Sequence, residues 1–197
     1  MRLCFSLLIS LFVVVFSAVC TMHTASAAPS GEDLQQKLQS ASQVVEFSHI
    51  AGSEGGDTAE VRVRVGSTVA VRVRCTGGHR AVMLSAEKVS AAADSDAAAA
   101  AVAAAAEKAK QIPSSSEDVL KLVEEGPPMP EGLSVVLPTP FTGPNAEGLG
   151  LVGAPTPYVS TVTVDTAGLY TVLFGSVRPW APQGGAVFVL TIIAVPE

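Results

Sequence analysis

The chain has 197 residues, of which 48% are hydrophobic, and a formal charge of −6. A chain of this size and composition can bury a sufficient hydrophobic core without disulfide bonds. Its negative charge argues against nucleic acid or an anionic membrane surface as the principal partner. We predict one domain that carries an insertion.

The N-terminal segment has the features of a secretory signal peptide. Arg2 is followed by an apolar run from Leu3 to Val19 and then by Ala25-Ser26-Ala27. The run is shorter than the ~20 residues that span a bilayer, so we predict a signal peptide over residues 1–27, cleaved after Ala27. An uncleaved signal anchor is the alternative. Cleavage implies the secretory pathway, no membrane attachment afterwards, and a destination outside the cell or in a lysosome-like vesicle.

Loss of this segment changes the cysteine content. Cys4 and Cys20 lie within it, which leaves Cys75 alone and excludes an internal disulfide. The loss of Arg2, its one charged residue, takes the formal charge from −6 to −7. Cys75 and His79 suggest either a reactive thiol or a metal site, but two ligands do not make a zinc site. We therefore interpret Cys75 as an unpaired loop or strand-end cysteine, and predict no metal and no cofactor.

Helical spacing follows the signal peptide. Leu34, Leu38 and Ala41 recur at intervals of three to four residues, which predicts a short N-terminal helix within residues 28–43. Such a helix is too short to be stable alone in water, so it either docks on the domain or frays.

The period then changes from helical to alternating. Residues 44–49, 61–65, 69–74 and 81–86 alternate in the manner of half-buried strands, with a turn signal at Gly66-Ser67. The alternation predicts that valines share one face and that the other face carries Arg62, Arg64, Arg72 and Arg74. This arginine face is either an anion or glycan site or simply a solvated surface.

Residues 87–130 differ from the rest in composition. They contain a low-complexity alanine stretch, and alanine has the highest helix propensity. Pro113 ends this stretch, a second helical pattern starts at Ser116, and Gly126 closes it. We predict a helical insertion. Because alanine buries little area per residue, the insertion is interpreted as a mobile segment or a spacer.

Strand patterns resume at Leu133. Residues 133–137, 158–164, 169–174 and 186–195 are apolar or alternating, with a turn at Pro138 and Pro140 and long loops over 141–157 and 175–185. Short strands separated by frequent turn signals predict an all-β sandwich over residues 44–195, interrupted by the insertion.

The last of these loops contains Arg178-Pro179-Trp180, and Trp180 is the only tryptophan. Proline fixes φ and lowers the entropy lost on binding. Exposed tryptophan and arginine are the residues most enriched at interface hot spots. The tripeptide therefore predicts a protein contact, with packing of Trp180 over the sandwich end as the alternative.

The segment from Tyr158 through the Ala167-Gly168 turn to Trp180 resembles the chagasin family of cysteine-peptidase inhibitors. The resemblance extends over about residues 44–86 and 132–195 and leaves the insertion unmatched. It implies an immunoglobulin-like sandwich whose three loops, at one end, wedge into the active-site cleft of papain-like peptidases. That cleft is occluded and the loops are not cleaved.

The family carries one motif on each loop. In the first, residues 74–78 keep Thr76 and Gly78 of Asn-Pro-Thr-Thr-Gly. In the second, residues 153–156 keep only Gly153 of Gly-x-Gly-Gly. The third motif, Arg178-Pro179-Trp180, is intact. The resemblance implies that these six residues bind the peptidase.

Two functions remain at this point. The first is a monomeric, reversible, non-covalent inhibitor of a papain-like cysteine peptidase of the cathepsin L type. The second is a divergent, non-inhibitory adhesion or structural module of the secretory pathway. Neither is an enzyme, since no phosphate-binding glycine loop, nucleophile elbow or metal-ligand cluster is present in the sequence. Clustering of Thr76, Gly153 and Trp180 at an open end of the sandwich would favour inhibition.

Overall fold

A computed structural model describes residues 31–49, 57–76, 78–90, 95–109, 113, 115–141 and 155–196. The predicted signal peptide lies outside these residues. The described helices are α1 (Gly31–Ser40), α2 (Ser95–Ala109) and α3 (Ser116–Glu124). The described strands are β1 (Gln43–Ser48), β2 (Thr58–Arg64), β3 (Thr68–Cys75), β4 (Arg80–Ser90), β5 (Leu133–Pro140), β6 (Thr156–Val164), β7 (Gly168–Arg178) and β8 (Ala181–Val195).

The strands form two four-stranded sheets, with the orders β1-β3-β6-β5 and β2-β8-β7-β4. Strand β1 runs parallel to β3 and β2 parallel to β8, whereas the other neighbours are antiparallel. The inner faces of the two sheets enclose one main core, in which Phe47 and Phe188 stack with ring centroids 5.1 Å apart. The predicted all-β sandwich is confirmed.

The turn at Gly66 carries the chain from one sheet to the other. The Val65 N–H donates to the Val195 carbonyl of one sheet, and the Gly66 N–H donates to the Val164 carbonyl of the other. Gly66 has φ +82°, in the region that favours glycine. The predicted turn is therefore a crossover that joins the sheets at one end of the sandwich.

This crossover separates the two arginine pairs. Arg62 and Arg64 lie on β2, in one sheet, and Arg72 and Arg74 lie on β3, in the other. Because the valines of both strands point into the shared core, the two pairs point away from it on opposite sides. Arg72 is paired with Glu46 at 2.6 Å. The prediction of one face with four arginines was wrong, since a period of two does not specify which sheet a strand joins.

The insertion starts later than predicted, because β4 continues to Ser90. Helix α2 then lies on the outer face of the β2-β8-β7-β4 sheet. Ala101 packs on Leu169 and Ile193, and further along the helix Ala105 packs in a cluster with Leu173, Val187 and Val189. The interpretation of the alanine stretch as a mobile segment or spacer was wrong: small side chains let this helix approach and cover an apolar sheet face.

Replacing Ala105 with leucine should destabilise the fold by about 1–3 kcal/mol, because the larger side chain overpacks the contact between α2 and the sheet. Ala105 is 3% exposed. Ala104 is the matched control: it is exposed on the same helix, so Ala104→Leu should change stability by less than about 0.5 kcal/mol. Urea unfolding measures both variants. Equal effects at the two positions would contradict the packing of α2.

Helix α3 packs beside α2 on the same sheet. The Ser115 side chain caps its first turn, and Gly126, with φ +71°, follows its end, as predicted. Val119 is fully buried against Val82 and Val177, which lie on the outer face of β4 and β7. Both described helices of the insertion are therefore layered on this sheet.

Helix α1 covers part of the opposite sheet. Leu38 packs on Phe141, Val159 and Val136 of the β1-β3-β6-β5 sheet. The predicted N-terminal helix thus docks on the domain, and it ends at Ser40, shortly before β1. Within the described parts of the chain, no helix is long and apolar enough to cross a bilayer.

Candidate functional site

The Arg178-Pro179-Trp180 segment forms a tight turn. Strands β7 and β8 are longer than predicted, so that β7 ends at Arg178 and β8 begins at Ala181, its partner in the ladder. Pro179 and Trp180 alone connect the two strands. The predicted loop over 175–185 was therefore too long, because its glycines and Pro182 lie in the strands themselves, at the end of β7 and the start of β8. The hairpin holds the tripeptide on a rigid support.

Trp180 is the most exposed of the large apolar side chains described, with 68% of its surface open to solvent. One edge of its ring rests against the loop between β3 and β4: a Cβ added at Gly78 would lie 3.1 Å from Trp180 Cη2. Gly78 has φ +77°, so a side chain there is disfavoured both by conformation and by the ring. The structure thus brings Gly78 and Trp180 together, with most of the indole facing outward.

Thr76 joins two segments at the same end. Its hydroxyl donates to the His49 carbonyl at 3.1 Å. Its carbonyl accepts from the His79 N–H at 3.2 Å and from the Nδ1–H of the same residue. These bonds close residues 76–79 into a tight turn and tie that turn to the end of β1. The half-buried Thr76 therefore acts in the structure as a support for the loop that carries Gly78.

Gly153 lies outside the described residues. The chain leaves the described structure at Phe141 and returns at Pro155, and both flanks are at the end that holds Trp180. The Phe141 N–H donates to the Pro157 carbonyl at 2.8 Å, and Thr156 pairs with Cys75 at the end of β3. The strand that begins here starts at Thr156 rather than at residue 158 as predicted. The prediction for Gly153 itself stays a prediction.

Beneath these loops lies a buried polar cluster formed by Cys75, Ser176, His49 and His79, each no more than 9% exposed. The Ser176 hydroxyl donates to Cys75 Sγ at 3.2 Å, so His49 Nδ1, 2.9 Å from Ser176 Oγ, is the donor to that oxygen. The rings of His49 and His79 meet edge to face, with centroids 4.6 Å apart. We call these four residues the polar cluster.

Cys75 in this cluster is chemically quiet. Burial raises the pKa of its thiol to about 11, and the hydrogen bond from Ser176 opposes this only in part. The thiol therefore stays protonated at physiological pH and is a poor nucleophile. The described residues also hold no group of three potential metal ligands. The hypothesis of a reactive thiol is therefore wrong, and Cys75 is the unpaired cysteine at the end of a strand that was expected.

The described residues of the insertion do not cover Trp180. The described helices pack on the outer faces of the sheets, and Trp180 remains largely exposed. Thr76, Gly78 and the Arg178-Pro179-Trp180 turn therefore share one accessible end. This is the arrangement that the sequence resemblance to the inhibitor family implied for its first and third loops.

The fold has a match among solved structures. The structure of PbICP-C in complex with falcipain-2 superposes with a TM-score of 0.52, at 15% sequence identity, over 78% of this chain and 99% of that chain. The chain therefore shares the fold of PbICP-C, an immunoglobulin-like β-sandwich. No protein-family model and no curated protein matches the sequence.

Two further solved structures are similar to this chain at lower TM-scores. The solution structure of amebosin gives 0.40, with 15% identity over 73% of this chain and all of that one. The crystal structure of the cysteine protease inhibitor EhICP2 from Entamoeba histolytica gives 0.34, with 12% identity over 76% of this chain and 95% of that chain.

Sequence reasoning missed the supporting role of His49 and Ser176 in this domain. The two residues are 127 positions apart and meet only because β1 and β7 end at the same level in opposite sheets. Ser176 fell in a predicted loop, and His49 at the end of a weak strand pattern. A polar residue at the end of a strand is the one local signal that either offered.

Proposed function

We propose that this protein is a reversible, non-covalent inhibitor of papain-like cysteine peptidases of the cathepsin L type. One observation carries the proposal: an exposed Trp180 stands on a two-residue hairpin turn and rests against Gly78 at an open end of the sandwich. The match in fold to PbICP-C, a protein solved in complex with falcipain-2, supports it. Arg178, Pro179 and Trp180 make the main contact.

The turn suits this task because little of it has to be ordered on binding. Pro179 has a fixed φ, and the ladder pairing of Arg178 with Ala181 holds both sides of the turn. Trp180 offers a large apolar surface and one N–H donor, and Arg178 offers a planar fork of donors. Gly78 and Thr76 belong to the neighbouring loop, and Gly153 is the proposed contact in the remaining loop.

Inhibition by this end needs no covalent step. The buried thiol of Cys75 is protonated and cannot reach a partner, and the exposed contact residues contain no nucleophile. A tight turn also cannot present the extended backbone that a peptidase cleft holds for cleavage. The peptidase therefore leaves the bound inhibitor uncleaved, and the inhibitor itself is not an enzyme.

The cellular setting is part of the proposal. We infer that the mature protein begins after Ala27, travels through the secretory pathway as a monomer, and meets its peptidase outside the cell or in a lysosome-like vesicle. The support for this is the N-terminal sequence pattern, together with a domain whose described cysteine is unpaired and buried.

Steady-state kinetics of papain and of a cathepsin L type peptidase with the mature protein test the proposal. The expected result is competitive inhibition, in which the apparent KM for a small substrate rises and kcat does not change. Activity should return on dilution, and the mass of the inhibitor should not change. A trypsin-like serine peptidase is the control for specificity. No inhibition of either cysteine peptidase at micromolar protein would overturn the proposal.

The adhesion or structural module is not favoured by a specific observation. Its expected contact surface, one face of four arginines, is divided between two sheets, and its expected spacer is packed on the domain. It becomes the remaining hypothesis only if inhibition is absent.

A further inference from the structure

The polar cluster connects the segments that present the proposed binding surface. His49 follows β1, His79 belongs to the turn that carries Gly78, and Ser176 precedes Arg178 by two residues on β7. The bonds from Thr76 to the His49 carbonyl and from His49 Nδ1 to Ser176 Oγ span these segments. Hydrogen bonds of His49 and His79 therefore tie together the segments that carry Gly78 and Arg178.

The surroundings of His49 favour its neutral form. Burial lowers the pKa of His49, and the positive charges of His79 and Arg178 lower this pKa further. The other ionisable group of the cluster, the Cys75 thiol, is uncharged because burial raises its pKa to about 11. Burial likewise raises the pKa of Tyr158, on β6, against the opposing effect of the nearby Arg80. The described groups around His49 thus carry either a positive charge or none.

We propose that His49 and His79 form a pH-sensitive support for the binding loops, which holds Trp180 and Gly78 in the binding arrangement at neutral pH and releases them in acid. This inference rests on the proposed function for its meaning in the cell, because it concerns the regulation of the same surface. Its structural part, the acid release of the loops, stands on the geometry of the polar cluster alone.

Protonation would act through charge repulsion. A proton on His49 would place a positive charge in a buried site whose neighbours, the His79 ring at 4.6 Å between centroids and the Arg178 guanidinium, disfavour it. The loosened state exposes His49 to water, where its pKa returns toward the ordinary value of 6.5. Because the loosened state then binds more protons than the closed one, falling pH favours it from about 6.5 downward.

A seated peptidase should strengthen this effect. The complex removes water from around Arg178 and so makes a proton on His49 still less favourable. If His49 takes up one proton when the peptidase is released, the affinity for the peptidase falls by up to about tenfold for each pH unit below 6.5, the ordinary pKa of histidine. The inhibitor would then bind at neutral pH and release its peptidase in an acidic compartment.

Trp180 permits a test that needs no peptidase, because it is the only tryptophan and rests on the loop that the cluster supports. We expect its emission in the mature protein to change between pH 8 and 4.5, with a midpoint below 6.5, while far-UV circular dichroism stays constant. In His49→Gln, whose amide N–H can still donate to Ser176, the transition should be lost. The same transition in His49→Gln, or none in the wild type, would overturn the proposal.

His79→Gln gives a second test should His49→Gln fail to fold. This change removes one of the two charges that disfavour the proton on His49, so the midpoint of the Trp180 transition should move to higher pH. An unchanged midpoint, or one at lower pH, would contradict the coupling between the two rings.

The functional consequence is tested by the inhibition constant at pH 7.5 and at pH 5, measured with the same peptidase. The inhibition constant should rise more between pH 7.5 and pH 5 for the wild type than for His49→Gln, by up to about 30-fold for one proton taken up below pH 6.5, and the peptidase's own pH dependence cancels in this comparison. An equal rise for both proteins would overturn the regulatory role. If neither protein inhibits at pH 7.5, the proposed function has failed, and the Trp180 titration still decides whether the support responds to pH.

Discussion

Replacing Trp180 with alanine should weaken inhibition by about 2 kcal/mol or more, which is roughly 30-fold in the inhibition constant. The indole is 68% exposed in the free protein and is the largest apolar surface at the open end, so its removal deletes contact area with the peptidase and little internal packing. The free energy of unfolding should therefore change by less than about 1 kcal/mol. Inhibition kinetics and urea unfolding of the same preparation measure the two effects.

The matched control for this variant is Val89→Ala. Val89 is 44% exposed and lies near the end of β4, which is the opposite end of the sandwich from Trp180. Its truncation should leave the inhibition constant unchanged. A change of less than about threefold for Trp180→Ala, or an equal loss for both variants, would mean that the open end does not dominate binding.

Replacing Phe188 with alanine should destabilise the fold by about 3–5 kcal/mol, which is a large part of the stability of an ordinary domain. Phe188 is 1% exposed and stacks on Phe47 across the core, so its removal leaves a cavity between the two sheets. The midpoint of urea unfolding should fall without a change in slope.

Val44→Ala is the control for Phe188→Ala. Val44 is 50% exposed on β1, so its truncation should change stability by no more than about 1 kcal/mol, the range of strand propensity effects. Similar losses for both variants would contradict the assignment of the core. Phe188 and Trp180 lie on the same hairpin, so Phe188→Ala and Trp180→Ala separate an effect on folding from an effect on binding.

Most strands could be predicted because alternation is a local signal. The valines of β2 and β3 lie in the core as their period of two required. The membership of each strand in a sheet could not be predicted in this way. Strand β2 pairs with β8, far along the chain. Strand β1 pairs in parallel with β3, and β2 lies between them in the sequence, so neither pairing can be read from a local pattern. The error about the arginine face has this cause.

For the insertion, too, the local structure could be predicted from the sequence and the packing could not. Its alanine content predicted helix α2, since propensity is a property of the residues themselves. Its packing depends on the surface that it covers. A signal for this was present in β7, whose residues from Gly168 to Val177 are all buried and are apolar on both faces, the pattern of a strand covered on both sides. An exposed outer face would have required polar residues at alternate positions.

The candidate site was predictable where a motif survives. The sequence predicted Arg178-Pro179-Trp180 and Gly78 as contact residues, and the structure brings Trp180 against Gly78. The length of the hairpin was missed because Gly175 and Gly185 imitate a loop. Gly175 fits closely against Leu84, and a Cβ at Gly185 would lie 2.6 Å from the Ser176 carbonyl oxygen, so both glycines serve close packing within strands.

The central claim is that the Trp180 end occupies the active-site cleft of a papain-like peptidase. Its most direct test compares binding of the mature protein to two forms of one cathepsin L type peptidase by calorimetry. One form has a free cleft, and in the other a covalent peptidyl inhibitor fills the cleft. We predict that the free form binds with a Kd below micromolar and that the filled form does not bind. Equal binding to both forms would contradict the claim.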